Sequence, residues 1–352
     1  MAATLVLEPT CFNASFTAMV NNTSRLQLQS IIDFSFGGTA LIANCCICTI
    51  IAINKSLHEP FYYLILNLSL SDTVLAISVV FHGFLDCVSN QQFHIGSIGN
   101  IGCKLDIFCA ITSFSASTMT LFAISIERYQ AISMHRFHTT GIEKTRIIIL
   151  TTWIFASLTA VIPMIYAKIE TEYPYECAIQ TIEVPVLLYL ELIMAILICF
   201  LPITLTLICH GLTACKLYKI NTIDPHMSGE ITVRNDRIRK NILSVIFISL
   251  FSAITGLPLI IVNIATVFDK KKYSVALNPQ IYTIAATSFV ISPVVNPIVY
   301  NFASSKFRQV FVSAFCRKFF FNHKIITVIS SHHDTGTRSK SFSNPTKIKL
   351  QI

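Results

Sequence analysis

Residues Ile107 to Tyr129 read IFCAITSFSASTMTLFAISIERY, an uncharged run closed by Glu127-Arg128-Tyr129. A helix needs about 20 apolar residues to cross a hydrocarbon layer, and this run has that length. The strands of a membrane barrel are shorter, about 10 residues, and alternate apolar with polar side chains; this run does neither. The stretch therefore reads as a membrane-crossing helix that ends on a carboxylate and a guanidinium. Polar groups at membrane depth are costly, which makes them candidates for function.

Six further runs surround it. Phe34 to Asn54, Ile147 to Ala167, Asn241 to Phe268 and Tyr273 to Ser305 are uncharged. Pro60 to Leu85 carries only Asp72, and Val184 to Cys215 only Glu191. The run that starts at Tyr273 holds a second polar motif, Asn296-Pro297-Ile298-Val299-Tyr300. Of 352 residues, 53% are hydrophobic and 12% charged, against about 25% charged in a soluble domain. The fold class is an all-α membrane protein, a seven-transmembrane helix bundle followed by a short amphipathic helix. The short loops leave no room for a soluble catalytic domain, so the chain does not read as an enzyme. The net charge of +8 lies in loops and tail rather than in one stripe, which argues against nucleic acid as a partner.

The expected organisation is an extracellular, glycosylated N-terminus over residues 1–30, the helical domain over 31–302, a membrane-surface helix over 303–316, and a basic, disordered cytosolic tail over 317–352. Helices are expected near 31–54, 60–85, 100–130, 147–168, 186–216, 240–267 and 277–302. Lys and Arg gather on one side of the spans, among them Arg136, Lys144, Arg234, Arg237 and Lys306. Short loops rich in Lys and Arg face the cytosol, so the N-terminus is placed outside and the C-terminus inside; Lys270-Lys271-Lys272 runs against this trend. Asn13, Asn21 and Asn22 head Asn-X-Ser/Thr acceptors in the outer arm, as N-glycosylation requires. Cys316 follows the amphipathic helix and is a lipidation candidate.

The polar groups inside the spans carry the functional reading. Arg128 either complements a helix C-terminus and snorkels to the interface, or is held by Glu127 as a latch. A latch that opens is a bistable element. A lone carboxylate such as Asp72 must be protonated, paired or bound to a cation. Ser117, Ser292 and Asn296 supply further oxygens for a small hard cation such as sodium. Pro163, Pro202, Pro258, Pro293 and Pro297 each fall in a spanning segment and kink it where neighbours re-satisfy the freed carbonyls. Cys103 and Cys177 both fall on the outer, oxidising side, so a disulfide is expected. His332-His333 has no CxxC or HExxH partner, Cys45, Cys46 and Cys48 fall inside an apolar run as small apolar residues, and no phosphate-binding glycine loop is present; beyond an allosteric sodium ion, no metal or cofactor is expected.

Taken in order, these residues resemble the rhodopsin-like (class A) G-protein-coupled receptor family over residues 31–316. Asn44 looks like its helix-one asparagine, and Leu68-Ser69-Leu70-Ser71-Asp72 like its helix-two motif. Cys103 stands 25 residues before Arg128, as the family's disulfide cysteine does. Trp153, Pro202, Pro258 and Asn296-Pro297-X-X-Tyr300 match its anchors in helices four to seven. The resemblance implies an activation switch of Glu127, Arg128, Tyr129, Asn296, Pro297 and Tyr300, and a sodium site of Asp72, Ser117, Ser292 and Asn296. This sequence departs from the family at Gly256, where a tryptophan is usual, at Ser252, often phenylalanine, and at His210, often tyrosine. The aromatic switch of helix six is thereby lost, and activation is expected to use other contacts.

The implied partners are an extracellular ligand, a heterotrimeric G protein, arrestin and membrane lipid, at the plasma membrane. Ala110 stands where amine receptors carry aspartate, so the ligand is not expected to be a biogenic amine; a peptide or another small molecule remains. Candidate ligand contacts are His82, Asp106, Glu191 and Asn263, each of which could equally be satisfied by a neighbour or water. Three alternatives stay open: a chemosensory receptor of this fold, a seven-helix transport or ion-conducting protein with Asp72 as relay, and a non-coupling receptor-like partner.

Overall fold

The computed structural model describes residues 9–90, 96–133, 141–169, 177–179, 185–223, 229–268, 279–303 and 306–313. The helices are α1 (Pro9–Ile53), α2 (Pro60–Asn90), α3 (Gly96–Ser133) and α4 (Ile142–Tyr166), followed by strands β1 (Ala167–Ile169) and β2 (Cys177–Ile179). Helix α5 covers 185–223 in three joined parts: Pro185–Ala195, a π-helical segment Ile196–Phe200, and Leu201–Ile223. Then come α6 (Gly229–Phe268), α7 (Pro279–Ala303) and a short α8 over 306–313. Among the described residues, α1 to α4, α6 and α7 each contain an apolar segment long enough to cross a membrane, and α5 contains the shorter apolar helix Leu201–Lys216.

Local sequence explains the ends and breaks. Pro60 opens α2 at the position where a missing N–H costs nothing. Gly96 opens α3 at φ +62°, a left-handed conformation that glycine adopts without a Cβ clash. The π segment of α5 lies directly before Pro202. A proline ring crowds the carbonyl one turn back, and a wider turn relieves that contact. In α7, Pro297 leaves the carbonyl of Pro293 without its helical donor; Asn44 of α1 supplies one, Nδ2 to O at 2.8 Å.

Several helices run past the apolar stretches that revealed them. Most of the apolar runs read from sequence end where charges flank them, whereas backbone hydrogen bonding continues past those charges. The segment of α1 long and apolar enough to cross a membrane begins at Ser24. The extension also corrects the reading of Asp72 as the sole charge of the second helix. Asp86 lies in α2 and Asp33 in α1, and both are buried.

Helix α3 touches α2, α4, α5, α6 and the hairpin, while α1 packs on α2 and α7. In lipid, close approach through small residues and interhelical hydrogen bonds replaces the hydrophobic drive. Ser113, Ala116, Ala156 and Ala160 are fully buried on α3 and α4. Asn67 Nδ2 donates to Thr120 Oγ1 at 2.7 Å, and Trp153 Nε1 donates to Asn67 Oδ1 at 2.8 Å. One asparagine thus ties α2, α3 and α4. Ile42, Ile77, Leu150, Leu158, Ile254 and Ile284 point outward, a surface suited to lipid.

At one end of the bundle, β1 and β2 pair antiparallel with Ile169 opposite Cys177. Cys177 is disulfide-bonded to Cys103 of α3, and Leu85, Ala167 and Ile169 pack around the bridge. At the other end, Lys306 forms an ion pair with Glu59 at 2.5 Å, and Phe307 is buried. The chain divides into two units after Arg308; of the second, residues 309–313 are described and are helical. Cys316 and the tail lie outside the described residues.

Candidate functional site

Halfway along the bundle, α2, α3 and α7 converge on Asp72. Its Oδ1 accepts from Ser117 Oγ at 3.2 Å and its Oδ2 from Asn296 Nδ2 at 2.8 Å. Ser71 Oγ lies 2.9 Å from Ser117 Oγ. Asp72 and Asn296 are both almost fully buried, and Asn296 Oδ1 has no hydrogen-bond partner among the described residues. Ser292 lines the same cleft, with Phe114, Ser252, Gly256 and Phe289. One carboxylate, two hydroxyls and an orphaned amide oxygen form an all-oxygen set of the kind hard cations take. Among the described residues, no group of three or more His, Cys, Asp and Glu is placed to hold a metal ion.

The missing helix-six aromatic has a visible consequence here. A Cβ on Gly256 would stand 3.1 Å from Cε2 of Phe114, so the Phe114 ring already fills the space above that backbone. Phe114 packs in turn on Phe289 of α7, ring centroids 5.2 Å apart. The aromatic at this depth comes from α3 rather than α6. His210, on α5, places Nε2 3.2 Å from Ser249 Oγ of α6.

At the end opposite the disulfide, Arg128 Nε lies 2.9 Å from Glu127 Oε2. Neither atom has a hydrogen-bond partner among the described residues, so the contact is an ion pair without hydrogen-bond alignment. The guanidinium also stacks on Phe61 of α2, its carbon 3.3 Å from the ring centroid. Arg128 is therefore held from two sides, by charge and by a π face. The Tyr129 ring lies 5.9 Å from Lys216 Nζ of α5. Pro297 is inside α7; the side chain of Tyr300 is outside the described residues.

Toward the disulfide end, Asp106 is buried and satisfied by two residues of α2. Ser78 Oγ donates to Asp106 Oδ1 at 2.5 Å, and His82 Nδ1 lies 3.0 Å from Oδ2. Asp33 and Asp86 stand in electrostatic reach of His82. Glu191, Asn263 and the acceptors Asn13, Asn21 and Asn22 have side chains outside the described residues.

The sequence reading names Asp72, Ser117, Asn296, His82 and Asp106 and does not name Phe61, Phe114, Asp33 or Asp86. Phe61 and Phe114 are two of 26 phenylalanines, and nothing in their local sequence marks them. Asp33 and Asp86 could have been found, because each is the residue next to the end of an apolar run, Phe34 to Asn54 and Pro60 to Leu85.

The family profile described as 7 transmembrane receptor (rhodopsin family) matches residues 43–300. The Tachykinin-like peptides receptor 99D of Drosophila melanogaster is 27% identical over 82% of this chain and 57% of its own length. The Tachykinin-like peptides receptor 86C of the same organism is 24% identical over 79% and 56%. This chain thus spans a little over half the length of those two relatives. The bovine Substance-K receptor is 25% identical over 78% of this chain and 72% of its own. The crystal structure of squid rhodopsin superposes with a TM-score of 0.71 at 17% identity, over 84% of this chain and 86% of that one. With the family's profile matched from the first helix through Asn296-Pro297-Ile298-Val299-Tyr300, the chain belongs to the rhodopsin family of seven-transmembrane receptors.

Proposed function

We propose that this chain is a plasma-membrane receptor that takes an extracellular peptide at its disulfide end and activates a heterotrimeric G protein at the Arg128 end. The observation that carries this reading is the double restraint on Arg128, ionic to Glu127 and stacked on Phe61. Such a contact is a latch with two states, and a ligand that binds the open state better shifts the population. The Lys and Arg bias favours an outer N-terminus, and the names of the relatives favour a peptide over an amine. A sodium ion held by Asp72, Ser117, Ser292 and Asn296 would stabilise the closed state. Ser and Thr between Thr327 and Thr346 would recruit arrestin once phosphorylated, since phosphate inverts the charge of a basic tail. Acylation of Cys316 would anchor that region to lipid.

The test is a panel of G-protein dissociation sensors in cells without added ligand, wild type against Arg128→Ala at matched surface expression. Basal dissociation of one G-protein subtype that falls in Arg128→Ala is the expected result. Basal dissociation that Arg128→Ala leaves untouched would remove Arg128 from the mechanism.

A further inference from the structure

The polar residues toward the disulfide end form one facing pair of ladders. On α1, Arg25, Gln29 and Asp33 recur every fourth residue; on α2, Ser78, His82 and Asp86 do the same. Residues four apart share a helix face. The two faces come close: a Cβ on Gly83 would stand 2.9 Å from Cβ of Asp33. Asp106 of α3 closes the group through Ser78 and His82, and Tyr282 of α7 stands in electrostatic reach of Asp33, Asp86 and Asp106.

Among the described residues, three carboxylates, Asp33, Asp86 and Asp106, have two cations in electrostatic reach, Arg25 and His82. The acids are not equally served. Asp106 is bonded by Ser78 and His82, and Asp86 has both cations in reach. Asp33 has His82 in electrostatic reach, and its hydrogen bond among the described residues is from the amide of Gln29, Nε2 to Oδ1 at 2.8 Å. Its Oδ2 has no hydrogen-bond partner among the described residues, and neither has Oε1 of Gln29. Asp33 is 2% exposed and Gln29 8%. Two adjacent buried acceptors are thus left without donors, and such groups normally find them. The group meets the surface at His82, whose side chain is 29% exposed, while the orphaned oxygens of Asp33 and Gln29 are themselves buried.

We infer that Gln29, Asp33 and Asp86, with His82 at the mouth, form a site for a cationic N–H donor: the guanidinium or ammonium of a basic residue in the extracellular ligand. Such a group supplies several donors to the orphaned oxygens and sets a positive charge beside the carboxylates. A neutral donor would fill the hydrogen bonds without that charge. The inference rests on the proposed receptor reading only for which side of the membrane the ligand comes from; the chemistry of the site stands apart from coupling.

The test uses the purified full-length chain in detergent and reads Tm, so no G protein is needed. The probes are N-acetyl-arginine N-methylamide, its neutral isostere N-acetyl-citrulline N-methylamide, and butylguanidine. The expected result is a saturable rise in Tm with the arginine probe, none with citrulline, and loss of the rise in Asp33→Asn and Gln29→Met. A rise with butylguanidine equal to that with the arginine probe would support a site that reads the cation alone, supplied by a free amine as well as by a peptide. Equal shifts with arginine and citrulline, or a shift undiminished in both variants, would overturn the site. If one variant fails to fold, the other still decides. A chain that shifts with arginine but never activates a G protein would keep this site and lose the proposed function, and the reverse pattern would do the opposite.

Discussion

Asn44 donates Nδ2 to the carbonyl oxygen of Pro293 at 2.8 Å, the acceptor that Pro297 leaves open one turn later. Nδ2 also lies 2.9 Å from the carbonyl of Ala40 in its own helix. A single fully buried amide thus couples the kink of α7 to α1. Asn44 thereby makes a proline at Pro297 tolerable in a membrane, where no water reaches the freed carbonyl.

It follows that Asn44→Ala costs stability because a buried carbonyl loses its donor, about 1–3 kcal/mol. Pro297→Ala would restore the backbone donor. The cost of Asn44→Ala is therefore expected to shrink in a Pro297→Ala background. A double-mutant cycle on the Tm of the purified chain measures this; strictly additive losses would show that the two residues do not share the carbonyl.

Gly256→Trp would drive an indole into the ring of Phe114. The nearest approach of even a Cβ is 3.1 Å, and overpacking a tight site costs about 1–3 kcal/mol. Restoring the family's usual aromatic is thus expected to lower Tm, and Phe114→Ala in the same chain to recover part of the loss by vacating the space. A Gly256→Trp variant as stable as wild type would mean that Phe114 moves aside freely.

Sodium should stabilise the wild-type chain through Asp72. With sodium chloride in place of choline chloride at constant ionic strength, Tm is expected to rise. At a concentration tenfold above Kd the gain is about 1.4 kcal/mol. Asp72→Asn and Ser117→Ala should each flatten the response. A wild-type Tm indifferent to sodium would leave Asp72 as a partner of Asn296 and nothing more.

The sequence makes the spans legible because a deficit of charge over about 20 residues is a strong signal. It also makes Asp72, Ser117 and Asn296 legible, since costly groups inside apolar runs stand out one by one. Their convergence is not, because the spacing between α2, α3 and α7 in space leaves no trace in local periodicity. Phe61 and Phe114 are harder still: an aromatic that stacks on Arg128 or replaces a missing tryptophan looks like any lipid-facing phenylalanine until the partners are in place. Asp33 and Asp86 escape because each flanks an apolar run rather than interrupting it, as Asp72 does.

Everything proposed for signalling turns on the latch at Arg128. Stacking of a partly desolvated cation on an aromatic contributes roughly 0.5–2 kcal/mol, and about 1.4 kcal/mol is tenfold in an equilibrium. The most direct measurement is basal G-protein dissociation in Phe61→Ala, Glu127→Gln and their combination, each with and without Arg128→Ala, at matched surface expression. Both single variants are expected to raise basal activity several-fold and the pair to raise it further, with Arg128→Ala abolishing the gain in all three. Basal activity equal to wild type in Phe61→Ala and Glu127→Gln alike would contradict the latch, because neither contact would then be holding the receptor closed.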